Sequence, residues 1–146
     1  VLLGYLFFYQ LMNTFPKKEH LSGDINITRL HELGNAFMSF PFRVVYRMAD
    51  DKESVPVRVM VSVPKKRFKH AVDRNRIKRL IREVYRLNKQ EISDYAIEYN
   101  LKLHISFQYV SNEVEKYELL ERKMKNALRK LIQNLSVPNQ TDENSN

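Results

Sequence analysis

The chain has 146 residues, with 25 Lys and Arg against 17 Asp and Glu, and a net charge of +8 at neutral pH. This length fits one domain with a single core. The absence of cysteine excludes a disulfide framework and a thiolate zinc site, and it fits a reducing compartment such as the cytoplasm.

The two ends of the chain differ from its middle. The first eleven residues, VLLGYLFFYQL, are apolar, but they are too few to span a bilayer and lack the features of a signal peptide. We expect residues 1–11 to be an over-extended start or a disordered apolar lead, with translation beginning at Met12; the alternative is a hydrophobic anchor or partner-binding helix. We expect a single folded domain over 12–135 and a disordered tail over 136–146.

The first half of the domain predicts one helix and two strands. Asp24 caps a short helix that ends at Gly34, and a loop follows over 35–41. Apolar residues then alternate with polar ones in two runs, 42–48 and 57–63, which is typical of strands. The ADDKES link between these runs favours a hairpin.

The most informative stretch runs from Pro64 to Lys89 and holds eleven Lys and Arg against two acids, so the rest of the chain is close to neutral. Its apolar residues follow the i, i+3, i+4, i+7 spacing of a helix with one buried stripe: Ile77, Leu80, Ile81, Val84 and Leu87. The opposite face gathers like charges that repel one another. A bound polyanion would relieve this repulsion, so the stretch predicts binding to nucleic acid.

The remainder predicts a polar connection over 88–99, a third strand from Leu101 to Phe107, and a last helix over 113–135. The last helix has acids early and bases late, which matches the helix dipole and indicates a structural role. The predicted fold class is α+β, an α-β-β-α-β-α sandwich with helices against a small sheet. The second and third strands could lie parallel as a crossover unit.

The basic helix also carries a motif. Ala71-Val72 is followed by Arg74-Asn75-Arg76, and Lys65-Lys66 follows the strand that ends in Val61-Ser62-Val63. In this strand–Lys-Lys–helix setting, the chain resembles the bacterial ribonuclease P protein component from about Phe15 to Leu135. The resemblance implies a ribosomal protein S5 domain 2-like fold with a left-handed β-α-β crossover, an exception to the usual handedness.

The resemblance also implies a function: binding a catalytic RNA subunit and the 5′ leader of precursor tRNA, so that Mg²⁺-dependent cleavage removes the leader. The implied partners are ribonuclease P RNA and precursor tRNA, with no membrane and no obligate protein partner. Mg²⁺ would be held mainly by the RNA. The implied contacts to the RNA subunit are Lys65, Lys66, Arg74, Asn75, Arg76, Lys78, Arg79 and Arg82. The implied leader contacts are Ile27, His31, Phe42, Val44, Tyr46 and Ser62.

No catalytic residue or metal ligand is predicted in the protein, because the acids do not converge as two-metal hydrolysis requires and the histidines lack metal-ligand spacing. The main alternative is a general RNA-binding module of ribosomal-protein type. A helix-turn-helix DNA-binding protein is less favoured, because a valine-rich strand precedes the basic helix instead of a companion helix. A membrane-surface role is disfavoured because the apolar stripe lacks Trp and Phe.

Overall fold

The computed structural model of the chain describes residues 2–4 and 14–136. Apart from residues 2–4 and Ser136, the expected over-extended start and disordered tail therefore lie outside the described residues. No helix in the described ranges is long and apolar enough to cross a membrane.

Within residues 14–136, four α-helices and four strands follow one another in the order α-β-β-β-α-α-β-α, after a short 3₁₀ helix at Lys17–Glu19. The helices are α1 (Asp24–Leu33), α2 (Ala71–Asn88), α3 (Gln90–Glu98) and α4 (Tyr117–Ser136). The strands are β1 (Asn35–Ser39), β2 (Phe42–Met48), β3 (Val57–Ser62) and β4 (Leu103–Tyr109). The α+β fold class is confirmed.

The strands form one sheet in the order β1-β2-β4-β3. β1 pairs antiparallel with β2, β2 pairs antiparallel with β4, and β3 pairs parallel with β4. The prediction of a parallel pair joined across the basic helix is therefore confirmed.

Two local predictions are wrong. The expected loop over 35–41 contains β1, which forms a hairpin with β2 through a turn at the cis Phe40–Pro41 peptide. The expected hairpin between β2 and β3 does not form, because β4 lies between them. The connection between β2 and β3 is long enough to cross an intervening strand, since neighbouring strands lie about 4.8 Å apart.

The two faces of the sheet are covered differently. The main core lies on one face, where α2, α3 and α4 pack on Val44, Val59 and Phe107. α1 packs on the other face, where Leu30 contacts Val45 in a smaller cluster. Adjacent residues of a strand point to opposite faces, so Val44 and Val45 belong to different layers.

Gly34 allows α1 to approach the sheet closely. A Cβ at this position would lie 2.3 Å from the Leu30 carbonyl oxygen and 3.0 Å from the Tyr46 carbonyl oxygen. Any side chain would therefore push the end of α1 away from β2.

α2 buries a stripe slightly different from the predicted one. Ile77, Ile81 and Val84 are buried as expected, but Tyr85 is fully buried as well, while Leu87 is 42% exposed. The polar connection predicted over 88–99 contains α3, which buries Ile92 and Ala96 against the main core.

Candidate nucleic-acid interface

The exposed surface of α2 and of the β3–α2 connection is basic. Six of the eight predicted contacts to the RNA subunit are exposed there: Lys65, Lys66, Asn75, Arg76, Arg79 and Arg82. Lys78 is half-buried on the same helix. The apolar stripe of α2 faces the core and thereby holds these side chains outward on a rigid element.

Arg74 has a structural role within this surface. Its Nη1 donates to the carbonyl oxygens of Phe68 and Lys69, each at 2.8 Å. The side chain is half-buried and fastens the connection that precedes α2. Arg74 therefore shapes the basic surface from within, whereas Arg76, two residues later, is exposed.

Two further cations of the basic stretch are paired with acids. Lys89 is buried, and its Nζ lies 2.7 Å from Glu19 Oε1. Arg86 donates to both carboxylate oxygens of Glu83, and these hydrogen bonds lower the pKa of Glu83. The basic surface is thus narrower than the sequence indicates.

A second polar region lies on the face of the sheet that carries α1. In register across three strands, Arg43 of β2, Gln108 of β4 and Ser62 of β3 form a polar row. Arg43 Nη1 donates to Gln108 Oε1 at 2.9 Å. This row borders a pocket of about 370 Å³ that is also lined by Lys66 and Arg67.

The next row towards the other end of the strands is covered by α1. Val45 and Ser106 are buried there and Met60 is half-buried, with Leu30 and Ile27 of α1 packed above. α1 therefore divides the polar face and leaves the row of Arg43, Gln108 and Ser62 beyond the small cluster that it covers.

A half-buried acid, Glu53, lies beside the row in which Arg47, His104 and Arg58 are in register. Glu53 accepts hydrogen bonds from Arg58 Nε and from His104, the latter at 2.8 Å. Burial alone would raise the pKa of Glu53, but these hydrogen bonds outweigh it and the pKa is lowered. The cluster fixes the β2–β3 connection to the sheet.

The structure divides the six predicted leader contacts between the two faces. Ser62 lies on the α1 face, and Ile27 of α1 is half-buried against the sheet, with His31 exposed one turn further along the same helix. Phe42 and Val44 are fully buried in the main core, and Tyr46 packs against it. The prediction that Phe42, Val44 and Tyr46 form one leader site with Ser62, Ile27 and His31 is therefore corrected. The residues of β2 that face α1 are the alternate ones, Arg43, Val45 and Arg47.

Sequence reasoning missed Arg43, Gln108 and Arg67 on this face, and Phe15 and His20 beside α2. Alternation gave a usable signal for the first two, because Arg43 follows the buried Phe42 and Gln108 follows the buried Phe107. The segment that contains Phe15 has no periodic pattern, so its sequence carried no such signal.

Comparison with known proteins gives consistent matches. A family model described as Ribonuclease P matches residues 15–132. A ribonuclease P protein component from Porphyromonas gingivalis is 40% identical over 119 residues, which cover 82% of this chain and 87% of that protein. One from Chlorobaculum tepidum is 40% identical over 80 residues, or 53% of this chain and 52% of that protein.

The fold is also similar to a solved structure. The Staphylococcus aureus RNase P protein superposes with a TM-score of 0.63 at 23% identity, covering 77% of this chain and 94% of that chain. At this level of identity the likeness concerns the fold.

Proposed function

The chain belongs to the ribonuclease P protein family, and from this premise we propose that it is the protein subunit of a ribonuclease P. In this proposal it binds the catalytic RNA subunit through the basic surface of α2 and binds the 5′ leader of precursor tRNA on the α1 face of the sheet. The result is Mg²⁺-dependent endonucleolytic removal of the leader, in the cytoplasm.

The observation that carries the proposal is the row of exposed arginines on α2. Arg76, Arg79 and Arg82 are exposed, and no acid lies within ion-pair distance of them in the described part of the chain. Like charges three and four residues apart destabilise an isolated helix. A phosphate backbone neutralises them, with release of the counterions that it had condensed.

The leader site in this proposal is the polar row of Arg43, Gln108 and Ser62, with Ile27 and His31 of α1 beside it. Arg43 supplies a charge for phosphate, and Gln108 and Ser62 supply hydrogen-bonding groups. The neighbouring Lys66 and Arg67 continue the positive potential towards α2. One extended strand of RNA could thus follow the face from α1 to the basic surface.

The hydrolytic step belongs to the RNA subunit in this proposal. Across residues 2–4 and 14–136, no group of three or more His, Asp and Glu side chains could hold a metal ion, so these residues do not form a Mg²⁺ site without ligands from the RNA. The protein neutralises phosphates and positions the leader.

The test is cleavage of a precursor tRNA with a 5′ leader by a bacterial ribonuclease P RNA, with Mg²⁺ and near-physiological salt, with and without the protein. We expect the protein to raise the cleavage rate strongly and the pair Arg79→Ala with Arg82→Ala to remove most of the gain. If six cations contact phosphates, log affinity should fall with log salt at a slope of about −4 to −5. The double substitution should make this slope shallower by about 1.5 to 2.

The matched control is Arg122→Ala with Arg129→Ala, which removes two exposed arginines from α4 and should change neither cleavage nor the salt slope. Equal losses in the two double variants would indicate a nonspecific charge effect. RNA binding without any effect on cleavage would identify a general RNA-binding module and reject the proposal.

A further inference from the structure

A pocket of about 480 Å³ lies between the segment that precedes α1 and the outer face of α2. Phe15 and His20 line one side, and Asn75, Arg79 and Arg82 line the other. The pocket is therefore aromatic on one wall and cationic on the opposite wall. It is separate from the polar row of Arg43, Gln108 and Ser62, and it shares no lining residue with the pocket that this row borders.

The aromatic wall is held rigidly. The rings of Phe15 and His20 are stacked, with centroids 4.1 Å apart and an angle of 26° between their planes. Phe15 also meets the fully buried Tyr85 edge-on at 5.2 Å. The stacked pair is thus continuous with the main core.

The backbone of this segment is fixed as well. Leu21 N donates to the Val59 carbonyl oxygen at 2.9 Å, which places the segment along the outer edge of β3. The buried Glu19–Lys89 ion pair attaches the same segment to the end of α2. The pocket is therefore formed before any ligand binds, which lowers the entropic cost of binding.

The cationic wall is suited to an anion. Arg79 and Arg82 are exposed on successive turns of α2, and the Glu83–Arg86 pair closes the same side. Aromatic side chains beside arginines are the arrangement by which proteins hold single-stranded RNA, because the base stacks while the phosphate is neutralised. A base inside a duplex has no free face to offer, so the ligand must be unpaired.

We infer that this pocket receives one unpaired nucleotide of the RNA that α2 binds, with its base against Phe15 and His20 and its phosphate at Arg79 and Arg82. The inference rests on the proposed function and adds to it the recognition of an unpaired nucleotide. The surface of α2 then distinguishes an RNA with an unstacked nucleotide at this position from a continuous duplex. Asn75 supplies an amide that can pair with a base edge.

The test combines crosslinking with paired substitutions in the protein and the RNA. The full chain is bound to a bacterial ribonuclease P RNA and irradiated, and we expect Phe15 or His20 to crosslink to a nucleotide that chemical probing identifies as unpaired. Replacing that nucleotide with an abasic one should weaken binding of the wild-type protein about fivefold or more. The same replacement should leave binding of Phe15→Leu nearly unchanged.

Three comparisons make the result decisive. Phe15→Tyr keeps an aromatic ring and should behave as wild type, which separates stacking from folding. Phe40→Leu, at a ring that is 52% exposed in the β1–β2 turn, should keep the full sensitivity to the abasic nucleotide. AMP in excess should not displace the RNA; displacement would assign the pocket to a free nucleotide and overturn the inference.

Failure here can be told apart from failure of the proposed function. Crosslinks to α2 without any to Phe15 or His20, or equal abasic effects in wild type and Phe15→Leu, would overturn the pocket while leaving the proposed function intact. Absence of binding to the RNA, with no gain in cleavage, would overturn both.

Discussion

The two faces of the sheet differ in composition although they share the same strands. On the face covered by α2, α3 and α4, β4 presents Leu103, Ile105 and Phe107, all fully buried. On the α1 face the same strand presents His104 and Gln108. Neighbouring residues of β4 thus point into the apolar core on one side and towards polar groups on the other. A difference of one residue decides which role a position has.

The faces also differ in how completely they are covered. Three helices close the core face, whereas α1 covers only the small cluster around Leu30 and Val45. A sheet that carries one short helix on a face leaves polar positions open beyond it. The open positions on this protein are those of Arg43, Gln108 and Ser62.

The largest effect is expected from neighbouring substitutions in β4. Phe107→Ala should lower the free energy of unfolding by about 3 to 5 kcal/mol, because it leaves a cavity in the main core. Gln108→Ala, one residue away on the other face, should change it by about 0.5 kcal/mol or less. Urea denaturation measures both. Equal losses of unfolding free energy in the two variants would show that both faces contribute equally to stability.

The second prediction concerns the polar row. Arg43→Ala should weaken binding of a leader-bearing precursor tRNA to the holoenzyme about 10-fold or more, since a charged hydrogen-bond donor contributes about 1.5 kcal/mol or more. Binding of mature tRNA should stay the same. Arg129→Ala on α4 is the control and should leave both affinities unchanged. An equal loss of affinity for precursor and mature tRNA would show that the leader does not bind on this face.

The third prediction tests Glu53, the half-buried acid on the α1 face. The pKa of Glu53 is lowered from its usual value of 4.5, so its ion pairs add stability above that pH, and this contribution is lost as pH falls through the lowered pKa. Glu53→Gln should therefore be less stable than wild type at about pH 6, with a smaller difference at about pH 3.5. Urea midpoints at the two pH values measure this; a constant difference would contradict it. The lowered pKa of Glu83 affects both proteins equally.

The smallest effect concerns a polar atom on the core face. The Tyr85 hydroxyl is buried without a hydrogen-bond partner among the described residues, and burial raises the pKa of this phenol. Tyr85→Phe should leave the free energy of unfolding unchanged or raise it by up to about 1 kcal/mol. A clear loss on thermal unfolding would show that the hydroxyl contributes a favourable interaction.

Much of the architecture was predictable because its signals are periodic. The stripe of α2, the alternation in β2, β3 and β4, and the end of α1 at Gly34 all follow from local spacing. β1 was missed because it is short and begins and ends with polar residues, Asn35 and Ser39. The position of β4 between β2 and β3 was missed because alternation says that a strand has two faces, without saying which strand lies beside it.

The site was less predictable for the same physical reason. Alternation separates Phe42 and Val44 from Arg43 and Val45, but it does not say which set faces α1, since that depends on where the helices pack. The sequence also did not show that Arg74 bonds to backbone carbonyls or that Lys89 pairs with Glu19. An exposed cation and a cation with a partner inside the protein look the same in a sequence. Packing decides both matters.

The central position of β4 has a consequence for the order of folding. β4 is the last of the described strands, yet it pairs with both β2 and β3, so this sheet cannot close until residues 103–109 have been synthesised. During translation the basic helix emerges before the strand against which its layer packs. Long-range pairings of this kind slow folding, and N-terminal segments leave the ribosome first. A nascent chain therefore exposes the basic residues of α2 before the sheet that supports this helix is complete.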